Sequence, residues 1–498
     1  MATTITQKPN LLSAVNTPLI YILTESSSST YNGFKFRYVL KVEVDGVEIQ
    51  VLKIHKNQQN VGIFDLSHIL KAHSETQLVN ENSTSYSIHT LGIQETAKPF
   101  SQNSGQLAKV TVKAFTEVAT SATADPTLSS QQASADSFFI PATTPFTKTA
   151  TNVGGLDIIN VADASFNNFP LALFMNSTSS EDTHSFFTNA PTVQFVRGSS
   201  TSADNLDELT ICFKQGDSGA GILGQGSKIE HIAIQYYNSA GTLIAGTTGS
   251  ATTHFLPNST TSGGATAAQA TTVDKALLFF GCGTKNLQTQ VIANVIDSEG
   301  ATVTGANARP SNFSNWAYYR VFGCTSASTS NRCTKEYNFY RYGSGATVDD
   351  RHQSCTRYDN IRLAWRNRLG AWDYMNFRGK SKESVSIKSE EMSRVVGNWD
   401  SATSNTFNYN NWDRGRETLF TEAQKKLTIN SDFLNEDEAL WLEELFTSVN
   451  VQILEDGGII KPVIITDKLY TKKTSVNDKI KIQYTIKLEY SNKVRTNS

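Results

Sequence analysis

Charged residues are scarce in this chain. They make up 18% of its 498 residues, against about a quarter in an ordinary globular protein. Basic and acidic residues nearly balance, which leaves a formal net charge of −2. A near-neutral surface gives no long-range attraction to nucleic acid or to an anionic membrane. We therefore expect neither a nucleic-acid partner nor insertion into a membrane.

Long apolar runs are missing as well. No stretch approaches the roughly 18 apolar residues that a membrane-spanning helix needs. The first ten residues, MATTITQKPN, lack the basic and then apolar pattern of a signal peptide, so we expect synthesis in the cytosol. The five cysteines are few and odd in number, which argues against a disulfide scaffold.

Small polar residues fill the space left by the missing charges, and proline is rare, with 11 residues. This composition is typical of β proteins with many turns. It predicts a mostly β fold of β-sandwich-like modules with short flanking helices and an inserted exposed β domain. The length exceeds one ordinary core. We place an N-terminal arm at 1–18, a β module with a short helix at 19–120, a Ser/Thr-rich inserted β domain at 121–310, and an aromatic hairpin with a C-terminal β and helix module at 311–498.

Three local patterns fix particular elements. Alternating apolar residues from Phe34 to Val44, followed by Asp45-Gly46, predict a tight hairpin. Asp65 is placed as the N-cap of a short helix. The sequence 435–438, Asn-Glu-Asp-Glu, is a capping box that predicts a second helix. The Ser/Thr-rich runs 120–137 and 246–272 are left without assigned structure.

An aromatic hairpin between Cys355 and Lys380 organises the C-terminal half of the sequence. Two alternating strands flank a turn at 367–370. The arginines between the aromatic residues suit the outward face of a sheet or a contact between subunits. Aromatic and arginine side chains dominate the energetics of many interfaces. We therefore assign a subunit contact to Trp365, Arg366, Arg368, Trp372 and Tyr374.

Signals for catalysis are weak. Gly216-Asp217-Ser218-Gly219 resembles the nucleophile loop of chymotrypsin-like proteases, but those enzymes also need a buried histidine and an orienting aspartate. The nearest upstream histidine, His184, lies in a polar run. We therefore interpret the motif as a polar turn. The sequence has no phosphate-binding loop, dinucleotide fingerprint or HExxH motif, and we predict no enzymatic activity and no cofactor.

Four residues form a candidate metal site. Cys324, Cys333, His352 and Cys355 supply three thiols and one imidazole, a donor set suited to tetrahedral Zn²⁺. Because protein side chains would fill all four positions, such a site would be structural. The spacings match no common zinc module. The alternatives are small buried residues with an exposed histidine, or a single pair of cysteines.

A group of carboxylates lies on or near the second predicted helix. Acidic residues favour helix N-termini, and a charged helix face is ordinarily solvated. We interpret these residues as such a face and assign them no acid–base or metal-binding role. They are Glu436, Asp437, Glu438, Glu443 and Glu444.

Two aromatic groups lie in polar surroundings. One is Tyr236-Tyr237, and the other comprises Phe407, Tyr409 and Trp412, with asparagines between them. Exposed aromatic rings could stack on sugar rings. Aromatic and Asn-rich turns also serve packing and interfaces, which is the interpretation we favour. We expect 398–416 to form an irregular, packed loop.

Three stretches resemble tail-associated structural proteins of tailed bacteriophages, of the kind found in phages of marine and Bacteroidetes-type bacteria. They are Phe34–Leu70, Tyr358–Phe377 and Asp432–Tyr490. The resemblance implies β-sandwich modules with a flanking helix that assemble as rings, with strand edges paired between subunits. It transfers no catalytic residue. It implies a virion protein, assembled in the host cytoplasm, whose partners are copies of itself and other virion proteins.

The expected function is therefore that of a ring-forming tail or baseplate component, similar to distal-tail or tail-tube proteins, that acts through self-assembly. Region 121–310 takes no part in the resemblance, and we expect it to be displayed outward, with a host-surface glycan as its candidate ligand. A receptor- or glycan-binding tail adhesin and a head-decoration or neck adaptor protein are the alternatives.

Overall fold

The structure is a computed structural model. In it the chain forms two compact units. The first comprises Met1–Ser354, Trp365–Tyr374 and Asp456–Gly458, and the second comprises Cys355–Ala364, Met375–Glu455 and Ile459–Ser498. The residues that the structure describes are 3–9, 12–16, 18–73, 100–102, 108–140, 186–198, 206–214, 231–244, 253–257, 277–284, 287, 295–297, 302–303, 316–342, 358–400, 402–403, 405–413, 415–455, 459–471 and 482–497.

The secondary structure consists mainly of strands in several antiparallel sheets, with few short helices, and this confirms the predicted fold class. The strands of the N-terminal half are β1 (Thr3–Gln7), β2 (Leu12–Ala14), β3 (Ile20–Glu25), β4 (Phe34–Val44), β5 (Val47–Ile54), β6 (Val61–Asp65), β7 (Phe100–Gln102), β8 (Ala108–Ala119), β9 (Thr127–Leu128), β10 (Ala133–Ile140), β11 (Val193–Val196), β12 (Thr210–Lys214), β13 (His231–Tyr237) and β14 (Thr253–Pro257). Those that follow are β15 (Leu277–Gly281), β16 (Val295–Asp297), β17 (Thr302–Val303), β18 (Tyr318–Cys324), β19 (Tyr337–Arg341), β20 (Ile361–Arg366), β21 (Trp372–Phe377), β22 (Lys382–Ser393), β23 (Asn398–Asp400), β24 (Thr406–Asn408), β25 (Arg416–Asn430), β26 (Val451–Glu455), β27 (Ile459–Ile465), β28 (Thr485–Tyr490) and β29 (Val494–Asn497). The helices among the described residues are α1 (Ser28–Tyr31), α2 (Ser67–Lys71) and α3 (Glu436–Thr447), with a 3₁₀ turn at Thr329–Asn331.

The first unit begins with two sheets that share one core. One sheet has the order β1-β3-β6, and the other has the order β2-β10-β8-β4-β5, with β9 paired to β8. The hairpin of β4 and β5 is confirmed, and its turn residues Asp45 and Gly46 both have positive φ, at 49° and 84°. Glycine adopts this geometry without strain. The core between these sheets includes the buried side chains of Tyr21, Tyr38 and Leu40.

Two predictions for the N-terminal region need correction. Residues 1–18 were expected to be an extended arm, but β1 pairs with β3 and β2 pairs with β10. The N-cap of α2 is Leu66 and not Asp65. Asp65 lies one position earlier, where its Oδ1 accepts hydrogen bonds from Ser67 N at 2.9 Å and from Leu19 N at 3.1 Å. Its carboxylate therefore still satisfies a free N–H group at the helix start.

Part of the Ser/Thr-rich sequence is ordered strand. The run 120–137 was left without structure, yet it contains β9 and most of β10, and β10 pairs with β8 over seven residues from Ala133 to Phe139. Strand β14 likewise lies within the second such run, 246–272. These weak β formers are strands because neighbouring strands offer hydrogen-bonding partners. The predicted strand at 157–161 lies outside the described residues.

A larger sheet of the first unit has the order β11-β19-β18-β13-β14-β16-β17, and a smaller one has the order β12-β15-β7. Strand β13, before residue 310, pairs with β18, after it, and β7, before residue 120, pairs with β15, after it. The expected domain boundaries at 120 and 310 therefore do not coincide with the limits of these sheets.

A further sheet has the order β21-β20-β26-β27-β28-β25-β22, in which β29 also pairs with β25, and its strands β22 and β25 to β29 belong to the second unit. Helix α3 begins as predicted. Asn435 Oδ1 accepts a hydrogen bond from Glu438 N at 2.7 Å, and the Glu438 carboxylate accepts one from Asn435 N at 2.7 Å. This reciprocal capping box satisfies two N–H groups that an uncapped helix would leave free. Leu442 and Leu445 of the helix are fully buried.

Candidate functional site

The most exposed regular element of the second unit is a two-stranded ribbon formed by β22 and β25. These strands pair antiparallel from Lys382–Thr428 to Ser393–Arg416, with one bulge between Glu390 and Glu391. Every residue of β22 is exposed. Strand β22 is the last strand of its sheet, and no other strand in the described chain pairs with its outer edge. Such an edge offers a row of backbone N–H and C=O groups to a further strand.

One face of this ribbon carries apolar side chains that have no cover. Ile387 lies opposite Ala423, and Ala423 lies opposite Val494, so the three residues form a row across β22, β25 and β29. Ile387 and Val494 are 68% and 63% exposed. On the same face, nearer the sheet core, Leu427 lies opposite Leu488, and both are buried. The exposed row of Ile387, Ala423 and Val494 therefore lies on the same face as the buried pair, and the ion pair of Lys425 and Glu383 lies between them.

The opposite face of the ribbon is polar, and its charges are paired. Lys493 donates to Glu422 at 2.6 Å, and this hydrogen bond lowers the pKa of the Glu422 carboxyl group. Lys426 and Glu489 form an ion pair at 2.8 Å. Exposed pairs of this kind contribute little to stability. They leave the polar face nearly neutral, whereas the apolar face presents a surface suited to another protein.

Beyond β22, the chain folds into the small hairpin of β23 and β24, in which Trp399 lies opposite Phe407. These two rings are 54% and 50% exposed, and Tyr409 and Trp412 are 71% and 78% exposed. Residues 398–416 therefore do not form the irregular, packed loop that the sequence suggested. The hairpin is short, and the rings have no core to pack into because the ribbon below them is itself exposed on both faces.

Tyr236 and Tyr237, the other aromatic pair, are buried rather than exposed. The Tyr237 ring stacks on Tyr318 with centroids 4.5 Å apart, and Tyr318 stacks on Tyr340 at 4.6 Å. These residues lie opposite one another across β13, β18 and β19. Cross-strand rows of this kind stabilise a sheet, so the pair has a structural role.

The aromatic hairpin of β20 and β21 has the predicted turn. Asn367 N donates to Ala371 O at 2.9 Å, and Gly370 adopts a positive φ of 87°. Trp365, Trp372 and Tyr374 are buried within the chain. Little of their surface is therefore free for a neighbouring subunit, and their assignment to a subunit contact stays a prediction.

The arginines of the hairpin do not share one face. Arg368 is exposed and Arg366 partly exposed, and their assignment to an interface is untested. Arg362 and Arg378, expected on the outward face, are buried. Arg378 Nη1 lies 3.9 Å from Asp432 Oδ2. Arg357 lies outside the described residues. The alternation of apolar and polar residues predicted that these arginines face away from the core. It did not show that both faces of the hairpin are buried.

A buried polar network holds the tip of this hairpin within the first unit. Asn367 Oδ1 accepts hydrogen bonds from Leu369 N and Ala371 N, both at 3.0 Å. Asn367 Nδ2 donates to Phe187 O at 2.8 Å and to Asp373 Oδ1 at 3.0 Å. Sequence reasoning identified Asn367 as a turn residue but missed the network, because its partner Phe187 is remote in sequence.

The Asp373 carboxylate extends the network. It also accepts from Thr188 Oγ1 at 2.7 Å, and Thr210 and Tyr374 share a hydrogen bond at 2.8 Å nearby on β12 and β21. Each of these polar groups is thus satisfied internally, which is the condition for burying it at low cost. The network fixes the hairpin tip and offers no open catalytic group.

The structure brings two of the four candidate metal ligands together. Cys324 is the last residue of β18 and forms an isolated antiparallel bridge with Arg332. Cys333, the next residue after Arg332, donates its backbone N–H to Gly323 O at 2.9 Å. Both thiols are buried and free, and burial raises the pKa of each to about 12. His352 and Cys355 lie outside the described residues, and within the described chain no three His, Cys, Asp or Glu residues gather as metal ligands.

His231 lies directly opposite Cys324 on β13. It is buried, and neither of its ring nitrogens has a hydrogen-bond partner. Desolvation lowers its pKa to about 4. This histidine was not identified from the sequence, because a histidine inside an apolar strand carries no signal of its own. The motif 216–219 and His184 both lie outside the described residues.

The acidic residues of α3 do not all form a solvated face. Glu436 and Asp437 are exposed, but Glu438 and Glu444 are buried. Glu438 is buried because it completes the capping box, as described above. No helix in the described chain is long and apolar enough to cross a bilayer.

Comparisons with known proteins give no family. No protein-family model matches the chain, and no curated protein sequence matches it. Among solved structures, the crystal structure of a mutant of Salmonella alpha-2-macroglobulin is similar at a TM-score of 0.16 and 8% sequence identity. The alignment covers 100% of this chain and 30% of that one, so the chain spans less than a third of that protein's length. Similarity at this level says nothing about fold or function.

Proposed function

We propose that this chain is a structural subunit of a tailed-bacteriophage particle, a ring-forming tail or baseplate protein that acts through self-association. The observation that carries the proposal is strand β22, which is exposed over all its residues, Lys382–Ser393, and has no pairing strand on its outer edge among the described residues. Proteins ordinarily cover or shorten such edges, since open ones recruit other chains. A twelve-residue edge is therefore suited to pairing with a neighbour in an assembly.

The apolar row on the ribbon supports the same function. Backbone pairing at an edge adds hydrogen bonds, but burial of Ile387 and Val494 adds the larger, non-directional gain. Fully burying such a side chain contributes about 1.5–3 kcal/mol. The row lies on the same face of the sheet as buried Leu427 and Leu488, so a neighbour that covers it adds apolar burial to that face.

A closed ring needs two different surfaces on each subunit. Strand β5 supplies a second open edge, because it ends its sheet and has no buried residue. Val47 and Val51 on this strand are exposed. The chain thus carries one long free edge in each of its two units. The likeness of Phe34–Leu70, which contains β5, to phage tail proteins agrees with this role.

The proposal is tested with the purified full chain, whose subunit mass is 54.6 kDa. Light scattering coupled to size exclusion measures the mass of the assembly for the parent chain and for Ile387→Lys. The matched control is Ser386→Lys, because Ser386 is exposed on the same strand but faces the polar side. We expect hexamers or larger rings from the parent and the control, and smaller species from Ile387→Lys, whose new charge cannot be buried at the contact.

The alternatives give different masses. A receptor- or glycan-binding adhesin predicts trimers, and a head-decoration or neck adaptor protein differs in its stoichiometry and its position in the particle. A parent chain that stays at 54.6 kDa at every concentration contradicts self-association. Equal masses for Ile387→Lys and the parent ring contradict the assigned surface.

A further inference from the structure

The hairpin at the end of the ribbon presents four aromatic rings to solvent. We call the described residues 397–400, 402–403, 405–413 and 415 the aromatic tip. Trp399, Phe407, Tyr409 and Trp412 are each at least half exposed. Burial of aromatic rings is strongly favourable, so four exposed rings within one small hairpin call for an external partner. The ring-forming surface does not account for them, because it lies along β22 and not beyond its end.

Hydrogen bonds between residues close in sequence hold the backbone of the aromatic tip. Asp400 Oδ1 accepts from Ala402 N and from Thr403 N, both at 3.1 Å. At the second turn, Asp413 N donates to Asn410 O at 2.9 Å, and Asn410 N donates to Asp413 Oδ2 at 2.6 Å. Tyr409 directly precedes this turn, and Trp412 lies within it. The rings are therefore displayed on an ordered frame, which reduces the entropy lost on binding.

The tip and its base carry no net charge. Between 394 and 417 the sequence has three arginines (394, 414 and 416) and three acidic residues (400, 413 and 417). Arg394 donates to Glu417 at 2.7 Å, and Arg416 is hydrogen-bonded to Glu391. A surface for nucleic acid or anionic lipid needs a surplus of free positive charge. The tip lacks that surplus, which favours an uncharged ligand.

Amide side chains alternate with the rings. Asn398, Asn405, Asn410 and Asn411 are exposed around them. Each asparagine amide both donates and accepts hydrogen bonds, which matches ligands rich in hydroxyl groups. Burying unpaired amides in hydrocarbon costs several kcal/mol each, so insertion into a lipid bilayer is disfavoured. Aromatic faces, in contrast, pack well against the C–H faces of sugar rings.

We propose that the aromatic tip binds a neutral saccharide, with Trp399 and Trp412 as stacking residues and the neighbouring asparagines as hydrogen-bonding residues. This site differs from region 121–310, to which sequence analysis assigned a glycan. The proposal does not depend on ring formation, because the tip is complete within one chain.

The tryptophans provide a specific assay. Of the six in the sequence, Trp316, Trp365, Trp372 and Trp441 are buried, and the two exposed ones are Trp399 and Trp412. Fluorescence that acrylamide can quench in the folded chain therefore comes from the tip. The full chain is titrated with maltohexaose, cellohexaose, N-acetylchitohexaose and dextran as neutral probes, and with heparin as an anionic one. We expect a neutral probe to shift the emission to shorter wavelength and to reduce quenching.

Variants locate the binding and give the test. We expect Trp412→Ala to weaken binding of that probe about tenfold, which is about 1.4 kcal/mol, by calorimetry, and Trp412→Phe to restore most of it. The matched control is Phe34→Ala, since Phe34 is an exposed aromatic residue of the other unit with the same 54% exposure as Trp399; it should bind like the parent.

Three results would overturn the proposal. The first is that no neutral probe changes the emission or quenching. The second is that the tip binds vesicles of phosphatidylcholine with phosphatidylglycerol and Trp412→Ala abolishes this, which assigns it to membranes. The third is that Trp412→Ala lowers the mass of the assembly, which assigns the tip to a contact between copies. A monomeric chain that binds sugar through the tip contradicts the ring and supports this site.

Discussion

Acidification should destabilise the first unit through His231. This side chain is buried in β13, neither ring nitrogen has a hydrogen-bond partner, and its neighbour across the sheet is the thiol of Cys324. Burial without a partner disfavours the charged imidazolium, so the pKa falls from 6.5 to about 4 in the folded chain. The unfolded chain keeps the ordinary value and binds a proton first as the pH falls.

The magnitude follows from this difference. The folded pKa is depressed, so the stability is fully present above pH 6.5 and is lost as the pH falls towards 4. Each pKa unit corresponds to about 1.4 kcal/mol, which sets a limit of about 3 kcal/mol. Between pH 7.5 and pH 5 the loss is about 2 kcal/mol by the same relation.

The assay is urea unfolding followed by circular dichroism at pH 7.5 and pH 5, comparing the parent chain with His231→Leu. Leucine has a similar volume and no polar atoms to leave unsatisfied. Other titrating groups contribute equally to both chains, so the difference between their pH dependences isolates His231. We expect the parent to lose about 2 kcal/mol more than the variant over this range.

The control is His68→Gln, which removes an exposed histidine of α2 and should leave the pH dependence of the parent unchanged. The reasoning is refuted if His231→Leu and the parent lose the same stability on acidification. A His231 pKa near 6.5, measured by NMR in the folded chain, would refute it equally.

Two further substitutions test the elements that hold the fold together. Asn367→Ala should lower the free energy of unfolding by about 2–4 kcal/mol, because two buried N–H groups of the turn and two buried acceptors each lose a hydrogen-bond partner. Thermal unfolding measures this loss, and the exposed control Asn398→Ala should change stability by less than about 0.5 kcal/mol. A loss as small as that for Asn367→Ala would contradict the prediction. Asn435→Ala should cost about 1 kcal/mol through loss of the capping box. An unchanged melting temperature for that variant would show that the cap contributes nothing.

Elements that depend on residues close together in the sequence could be predicted from it. The hairpin of β4 and β5 follows from Asp45-Gly46, since only a few residue types accept positive φ at two successive positions. The capping box at Asn435 and Glu438 follows from side chains three residues apart. The mostly β class follows from composition in the same way, because β-branched and small polar residues suit strands and turns throughout the chain.

Elements that depend on residues far apart in the sequence could not be predicted from it. Residues 133–137 of β10 are in a strand because β8 pairs with them, although this part of the sequence is poor in β formers. Asn367 is a buried network residue because Phe187 contacts it in the fold, and Thr188 contacts its partner Asp373. Sequence separation hides such partners, since a side chain's preference describes its neighbours along the chain and not those across a sheet.

Exposure was the property that the sequence predicted least well, and the functional site depends on it. Tyr237 and Trp412 both lie among polar residues, yet the first is stacked inside a sheet and the second stands in solvent. The sequence by itself determined the mostly β class, the tight turn of β4 and β5, and the N-terminal cap of α3. The tertiary structure alone decided which strand edge and which rings remain uncovered, because burial depends on what packs above a residue, and that is set by strands remote in the chain.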